Sequence, residues 1–183
     1  MVDWPQRMLK YEVNRIREQW LDVDPGILQA LADLVTGSQR FQDAERLYWK
    51  LDSEVVNMRR FKPVAILAIA PLILGINVSS GPERGLIMDL LAEVAATLLA
   101  PTHPIPPGQF ELAKNEFLMG YYTYLSALHN AETKSEEIVA LDLFTDCGLL
   151  APSLVERCVW HVDRFSSKFG NDEIVAAKAS AFR

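Results

Sequence analysis

Cysteine and histidine are scarce in this sequence of 183 residues, which contains two cysteines and three histidines. A small domain held by disulfides is rich in cysteine, and a structural zinc site needs four converging ligands. Cys147 and Cys158 fit neither pattern. We therefore expect both thiols to lie reduced in the core of a cytoplasmic protein that holds no metal and no other cofactor.

Catalytic motifs are also missing. The sequence has no H-E-x-x-H, no phosphate-binding glycine-rich loop and no G-x-S-x-G turn. Cys158 and His161 lie three residues apart on one predicted helix, but no third group at a recognisable spacing would orient them as a nucleophilic pair. The Glu-x-x-His pairs of di-iron helical bundles are absent as well. We expect a protein that is not an enzyme and has no catalytic residues.

Positive charge is in deficit. Lys and Arg total 18 against 24 for Asp and Glu, which gives a formal net charge of -6 and a pI of about 5.1. Nucleic acids and anionic membrane surfaces bind clustered cations, so the composition argues against both as the main partner. A basic protein suits this charge better. The first residues, Met1-Val-Asp-Trp-Pro, also lack the basic and apolar regions of a secretory signal.

Only one long apolar run is present, from Val64 to Ile76, and it contains no polar side chain. A helix that crosses a bilayer needs roughly 20 apolar residues, so this run is too short. It also contains Pro71. A short helix that is apolar on every side is typical of the buried centre of a soluble protein, and we predict that role here.

Strand patterns are almost absent, whereas helix boundary signals recur along the chain. Asp24-Pro25 predicts a helix start, because aspartate caps a helix and proline suits its first position. The segment 101–108 contains four prolines and predicts a break or hinge within a single domain of residues 1–183. The predicted helices cover about 5–20, 25–36, 38–55, 64–76, 82–98, 109–130, 135–148, 152–170 and a short stretch from 172.

Helices taken in pairs begin near residues 24, 63, 109 and 152, close to the roughly 40–47-residue period of HEAT-type repeats. Met88–Val94 also matches Leu141–Cys147 in pattern, and both segments lead into Leu-Leu-Ala-Pro, at 98–101 and 149–152. The sequence thus predicts an all-α, HEAT-like α-solenoid of about four antiparallel helix pairs plus an N-terminal helix.

The central region carries a family resemblance. The runs Ala44–Asp52, Val64–Ile76 and Gly81–Val94 together resemble bacterial HEAT-like repeat proteins of the kind associated with polymorphic toxin immunity. The resemblance spans about residues 40–100 and, more loosely, 110–165. It implies a scaffold that binds another protein, with an immunity role by analogy.

Two sets of residues are candidates for such a binding surface. Asp89 and Glu93 are four residues apart, as are Asp142 and Asp146, and all four lie off the leucine stripes of their helices. If the two helices stack as equivalent repeat members, these carboxylates would form an acidic ridge that attracts a basic partner. The alternative is a solvated face. The second set is aromatic and comprises Trp49, Tyr121 and Tyr122, for which core packing is the alternative to interface anchoring.

These patterns favour a non-enzymatic protein-binding module that occludes a cognate toxin, with a basic toxin domain as the candidate partner. Two alternatives stay open at this point. One is a helical adaptor or scaffold that uses the same surface in a multi-protein assembly. The other is a small-molecule-binding helical domain with a pocket beside the aromatic helix 109–130.

Overall fold

The computed structural model describes residues 7–8, 11–12, 14–15, 24–36, 41–55 and 60–182. Within these ranges the chain is helical and contains no strand, which confirms the predicted all-α class. A 3-10 turn lies at Pro152–Leu154, between the helices Lys134–Leu150 and Val155–Arg164. The α-helices are α1 (Pro25–Val35), α2 (Phe41–Val55), α3 (Val64–Val78), α4 (Gly81–Leu99), α5 (Pro107–Met119), α6 (Tyr121–His129), α7 (Lys134–Leu150), α8 (Val155–Arg164) and α9 (Asp172–Ala181).

Local rules account for the start of α1. The Asp24 carboxylate accepts a hydrogen bond from the Gly26 main-chain N–H at 2.7 Å, and Pro25 occupies the first helical position. The predicted cap is therefore confirmed. Of the predicted opening helix 5–20, residues 7–8, 11–12 and 14–15 are helical, and the other positions lie outside the described residues, as do the boundary residues Gly37 and Ser38.

The apolar run forms α3, and most of its side chains are buried. Helix α3 packs against α1, α4 and α5. Gly75 permits the close approach, because a Cβ there would lie 3.1 Å from Val35 and 3.2 Å from Ile87. The interpretation as a buried core helix is confirmed. In the described ranges no single helix is both long and apolar enough to cross a membrane; α7 with Pro152–Arg164 passes only as a pair bent by 119°.

The prediction of one continuous helix over 109–130 is wrong, because the helix breaks at Gly120. The ring of Tyr124 occupies the space beside the Gly120 α-carbon, where a Cβ would lie 2.3 Å from Tyr124 Cζ. The Tyr124 hydroxyl donates a hydrogen bond to the Phe117 carbonyl at 3.1 Å, across the break. The break therefore coincides with a local contact, in which Tyr124 packs against the chain four to seven residues before it.

Two other boundaries differ from the sequence prediction. Helix α5 begins at Pro107, inside the predicted break 101–108, because proline is well suited to a first helical turn. The predicted helix 152–170 ends at Arg164, and residues 165–171 form a loop to α9. The buried carboxylate of Glu137 on α7 holds this loop through three hydrogen bonds.

Helices α4 and α7 form one of the two most extensive contacts in the described chain, the other being α6 with α7. They begin side by side, since Arg84 in the first turn of α4 donates to Glu136 in the first turn of α7 at 2.9 and 3.1 Å. They also end alike. Ala100 and Ala151 each precede a proline, which disfavours helical backbone there, and each donates its N–H to the last turn at 3.0 Å.

Candidate functional site

Helices α2 and α4 bring three carboxylates around one phenol. They pack against each other, with Tyr48 and Asp52 on α2 and Asp89 and Glu93 on α4. Burial, followed by the negative charges of Asp52, Asp89 and Glu93 in that order, raises the pKa of Tyr48 to about 12. Each carboxylate therefore lies close enough to Tyr48 for its charge to act on the phenol.

An exposed tryptophan lies beside this group. The ring of Trp49 meets the ring of Tyr48 edge to face, with the centroids 5.1 Å apart, and 61% of Trp49 is exposed. Such a ring pair fixes the orientation of an aromatic side chain that still faces solvent. We call Tyr48, Trp49, Asp52, Asp89 and Glu93 the acidic–aromatic surface.

The carboxylates of the acidic–aromatic surface lack a cationic partner among the described residues: no lysine or arginine there forms an ion pair with Asp52, Asp89 or Glu93. Burial raises the pKa of Asp52, and it raises the pKa of Asp89 together with the charge of Glu93. A cation brought close to this surface would lower both pKa values and recover electrostatic energy. The surface is therefore suited to a positively charged group.

The second predicted acidic pair lies in different surroundings. Asp142 forms an ion pair with Lys178 of α9, so its charge is compensated within the chain. Burial, followed by the charge of Asp142, raises the pKa of Asp146 to about 7. Neither residue acts on Asp89, whose charged neighbour is Glu93. The two acidic pairs thus differ in their charged neighbours: Asp89 and Glu93 act on Tyr48, whereas Asp142 pairs with Lys178.

The raised pKa of Asp146 leads to a stability prediction. Its pKa in the folded state is about 7, above the usual aspartate value of 3.8 that applies in the unfolded chain. Ionisation of Asp146 therefore destabilises the folded state increasingly as the pH rises from about 4 to 7. Asp146→Asn removes this penalty. We expect it to raise the free energy of unfolding by roughly 2–4 kcal/mol at pH 8 and to give no stabilisation at pH 4. Urea denaturation at both pH values measures the difference.

The control for this prediction is Glu45→Gln, which removes one exposed carboxylate on α2. We expect its effect to stay within about 0.5 kcal/mol at both pH values. An Asp146→Asn variant whose stability followed that of the control from pH 4 to pH 8 would contradict the placement of Asp146 in a desolvated environment.

A cleft opens next to Asp89, between the first turns of α4 and α7. Its volume is about 270 Å³. Pro82 and Leu86 supply apolar walls, and Gly85 leaves the space above it open, since a Cβ there would meet nothing within 4 Å. The residues that line the cleft are Gly81, Pro82, Gly85, Leu86, Asp89, Thr133, Ser135 and Glu136.

A second exposed surface, which the sequence did not lead us to expect, lies on α8, and the predicted Tyr122 of α6 is also exposed. Tyr122 is 72% exposed, and Trp160 is 52% exposed. The Arg164 guanidinium lies 4.2 Å from the centroid of the Trp160 ring. Arg157, Trp160 and Arg164 share one face of α8, which their spacing of three and four residues could have indicated. We call Arg157, Trp160 and Arg164 the aromatic–arginine surface.

Tyr121, which was predicted with Tyr122 as a binding residue, lies in the core and is 6% exposed. The centroid of its ring lies 5.2 Å from that of Tyr122 and 5.1 Å from that of Phe144. The Phe144 and His161 ring centroids are 5.7 Å apart. His161 in turn contacts Trp160 at 4.8 Å. Tyr121 thus begins a row of ring contacts that reaches Trp160, while Tyr122 is exposed.

The buried thiols are poorly suited to nucleophilic chemistry. Burial raises the pKa of Cys158 to about 11 and raises the pKa of Cys147 well above its usual value. Because the thiolate is the reactive form, both groups remain protonated at neutral pH. The His161 ring contacts the rings of Phe144 and Trp160. In the part of the chain that the structure describes, no three His, Cys, Asp or Glu residues converge as metal ligands.

Comparison with known proteins gives no relative: no family model, no curated protein and no solved structure matches this chain. Its function is therefore inferred from its own surfaces.

Proposed function

We propose that this protein is a non-enzymatic protein-binding module that binds a basic protein through the acidic–aromatic surface. The observation that supports this proposal is the group of three carboxylates around Tyr48, which have no ion pair within the described chain and lie beside the exposed Trp49. Uncompensated charge speeds the encounter with a partner of opposite charge. An exposed tryptophan beside these carboxylates is a residue type that often contributes a large share of the binding free energy at protein interfaces.

The role we propose is that of an immunity protein that occludes a cognate toxin in the cytoplasm. Many toxin substrates are polyanions, and a toxin domain that binds them is basic. The carboxylates of the acidic–aromatic surface would then replace the phosphates in the toxin's substrate groove. The two buried, unpaired thiols are in keeping with a reducing compartment.

We further propose a HEAT-like solenoid in which α4 and α7 are equivalent members of successive antiparallel helix pairs. Three features support this arrangement. The two helices begin side by side, pack extensively and end in the same Leu-Leu-Ala-Pro sequence with the same main-chain geometry. Solenoids of this kind present extended surfaces to protein partners.

The test is affinity capture of the tagged protein from a native lysate that contains its cognate partners, followed by elution with increasing salt. We expect a basic protein to be retained and then released as salt screens the carboxylates. Trp49→Ala should weaken binding by about 30-fold, the effect of losing an anchor worth about 2 kcal/mol. Glu93→Gln should slow association and reduce its salt dependence.

Glu45→Gln is the matched control, because it removes an exposed charge from α2 outside the acidic–aromatic surface. It should leave capture unchanged. Retention of an acidic protein, or of a basic protein whose binding is indifferent to both Trp49→Ala and Glu93→Gln, would overturn the proposal.

A second candidate function, a helical adaptor, is favoured by the aromatic–arginine surface. Tryptophan and arginine are among the residues most enriched in interface hot spots, and this surface combines them on α8, away from α2 and α4. An adaptor needs two such surfaces. It would retain one partner that depends on Trp160 and another that depends on Trp49, whereas an immunity protein would lose its partner only with Trp49→Ala.

A further inference from the structure

We propose that the cleft between the first turns of α4 and α7 receives a single arginine side chain of the basic partner, with its guanidinium against Asp89. This inference rests on the proposed function and identifies the contact that would give it specificity.

The size of the cleft suits one long side chain. Its volume of about 270 Å³ falls below the roughly 300–1,000 Å³ of sites that hold small molecules. Gly85 keeps the entrance open, and Pro82 and Leu86 provide apolar walls along which the methylene groups of an arginine can pack.

The charge within the cleft falls on Asp89. Glu136 also lines the cleft, but Arg84 donates two hydrogen bonds to its carboxylate, at 2.9 and 3.1 Å. The Glu132 N–H donates a third at 2.7 Å, so the oxygens of Glu136 are occupied. Asp89 has no such partner in the described chain, and burial raises its pKa. It is the carboxylate that a cation in the cleft would neutralise.

Arginine fits the polar groups of the cleft. A guanidinium presents five N–H donors in a plane, which suits several acceptors on opposite walls. Asp89 lies on the α4 wall, and Thr133 and Ser135 lie on the opposite wall at the start of α7. The lysine ammonium is a compact charge that would meet one wall only.

An anion is disfavoured although two helices begin here. Helix N-termini bind anions through free main-chain N–H groups. At the start of α7, Thr133 already accepts hydrogen bonds from the N–H groups of Glu136 and Glu137, at 3.2 and 3.0 Å. In α4 the second residue, Pro82, has no N–H. The charge of Asp89 would add repulsion.

The experiment is an NMR titration of the full ¹⁵N-labelled chain with N-acetyl-L-arginine amide at pH 8 and low salt. The neutral isostere N-acetyl-L-citrulline amide and inorganic phosphate serve as comparison probes. We expect saturable shifts of the Gly85, Asp89 and Ser135 amides, with a dissociation constant on the order of 1–10 mM. The citrulline probe should bind at least about tenfold more weakly, because it lacks the charge.

Two variants separate charge from shape. Asp89→Asn should weaken binding of the arginine probe by about tenfold or more. Gly85→Leu should abolish it by filling the cleft, while every charge stays in place. Glu45→Gln is the matched control, since Glu45 does not line the cleft and lies outside the acidic–aromatic surface, and it should leave binding of the arginine probe unchanged.

The outcomes distinguish this inference from the proposed function. Equal binding of the arginine and citrulline probes, preferential binding of phosphate, or arginine shifts that survive Gly85→Leu would overturn the cleft assignment. Capture of a basic partner through Trp49 would then still stand. If the arginine probe binds in the cleft and no basic protein is captured, the cleft assignment holds and the proposed function fails.

Discussion

Replacing Glu137 by alanine is expected to lower the free energy of unfolding by about 4 kcal/mol, because it removes a buried carboxylate from three donors. Glu137 is 1% exposed. One of its oxygens accepts from the Lys168 N–H at 2.9 Å. The other accepts from the Ser167 hydroxyl and the Asn171 amide, both at 2.7 Å. Without the carboxylate the buried Asn171 amide and two part-buried donors lose their acceptor, and the loop 165–171 loses these three bonds to α7.

Chemical denaturation measures this effect, and we expect the melting temperature to fall by about 10 °C. Glu137→Gln should cost less, because its amide oxygen still accepts while its amide nitrogen faces a donor. Hydrogen exchange gives a local measurement: the Lys168 amide should lose protection in both variants. The control is Glu45→Ala, an exposed glutamate on a helix, with an expected change within about 0.5 kcal/mol. Similar stability of Glu137→Ala and the control would contradict the role of Glu137.

Gly120→Ala is expected to lower the free energy of unfolding by about 3 kcal/mol. The added methyl would lie 2.3 Å from Cζ and 2.4 Å from the hydroxyl oxygen of Tyr124, which is fully buried. The ring has no free space, since it packs on Phe117 at 5.1 Å and donates to the Phe117 carbonyl. Either the ring moves and loses this hydrogen bond or the α5–α6 break opens, and overpacking of this kind costs about 1–3 kcal/mol or more.

Gly108→Ala is the matched control for Gly120→Ala, because both glycines lie at an end of α5 and a Cβ at position 108 would meet nothing within 4 Å. Alanine there restricts the unfolded chain, so we expect equal or slightly higher stability. Urea denaturation of both variants at one pH gives the comparison. If the two substitutions had the same effect, the contact between Gly120 and Tyr124 would not be what divides α5 from α6.

The residues that resist prediction are neighbours with different roles. Glu136 and Glu137 adjoin in sequence, yet one pairs with Arg84 of α4 and the other holds the loop 165–171. Tyr121 and Tyr122 also adjoin, and one is buried while the other is exposed. Successive helical residues point about 100° apart, so the rotation of a helix about its axis decides which of two adjacent side chains faces a partner. That rotation is set by the helices packed around it.

The sequence by itself determined the all-α class, the capped start of α1, the burial of α3 and the common ends of α4 and α7. These features depend on the period of apolar residues and on main-chain geometry within one turn, so a short window contains the information. Only the tertiary structure decided that the charges of Asp89 and Glu93 act on Tyr48. It also decided that Asp146 is desolvated near Lys178 of α9. These interactions are between residues that are far apart in the chain, and they depend on how the helices pack.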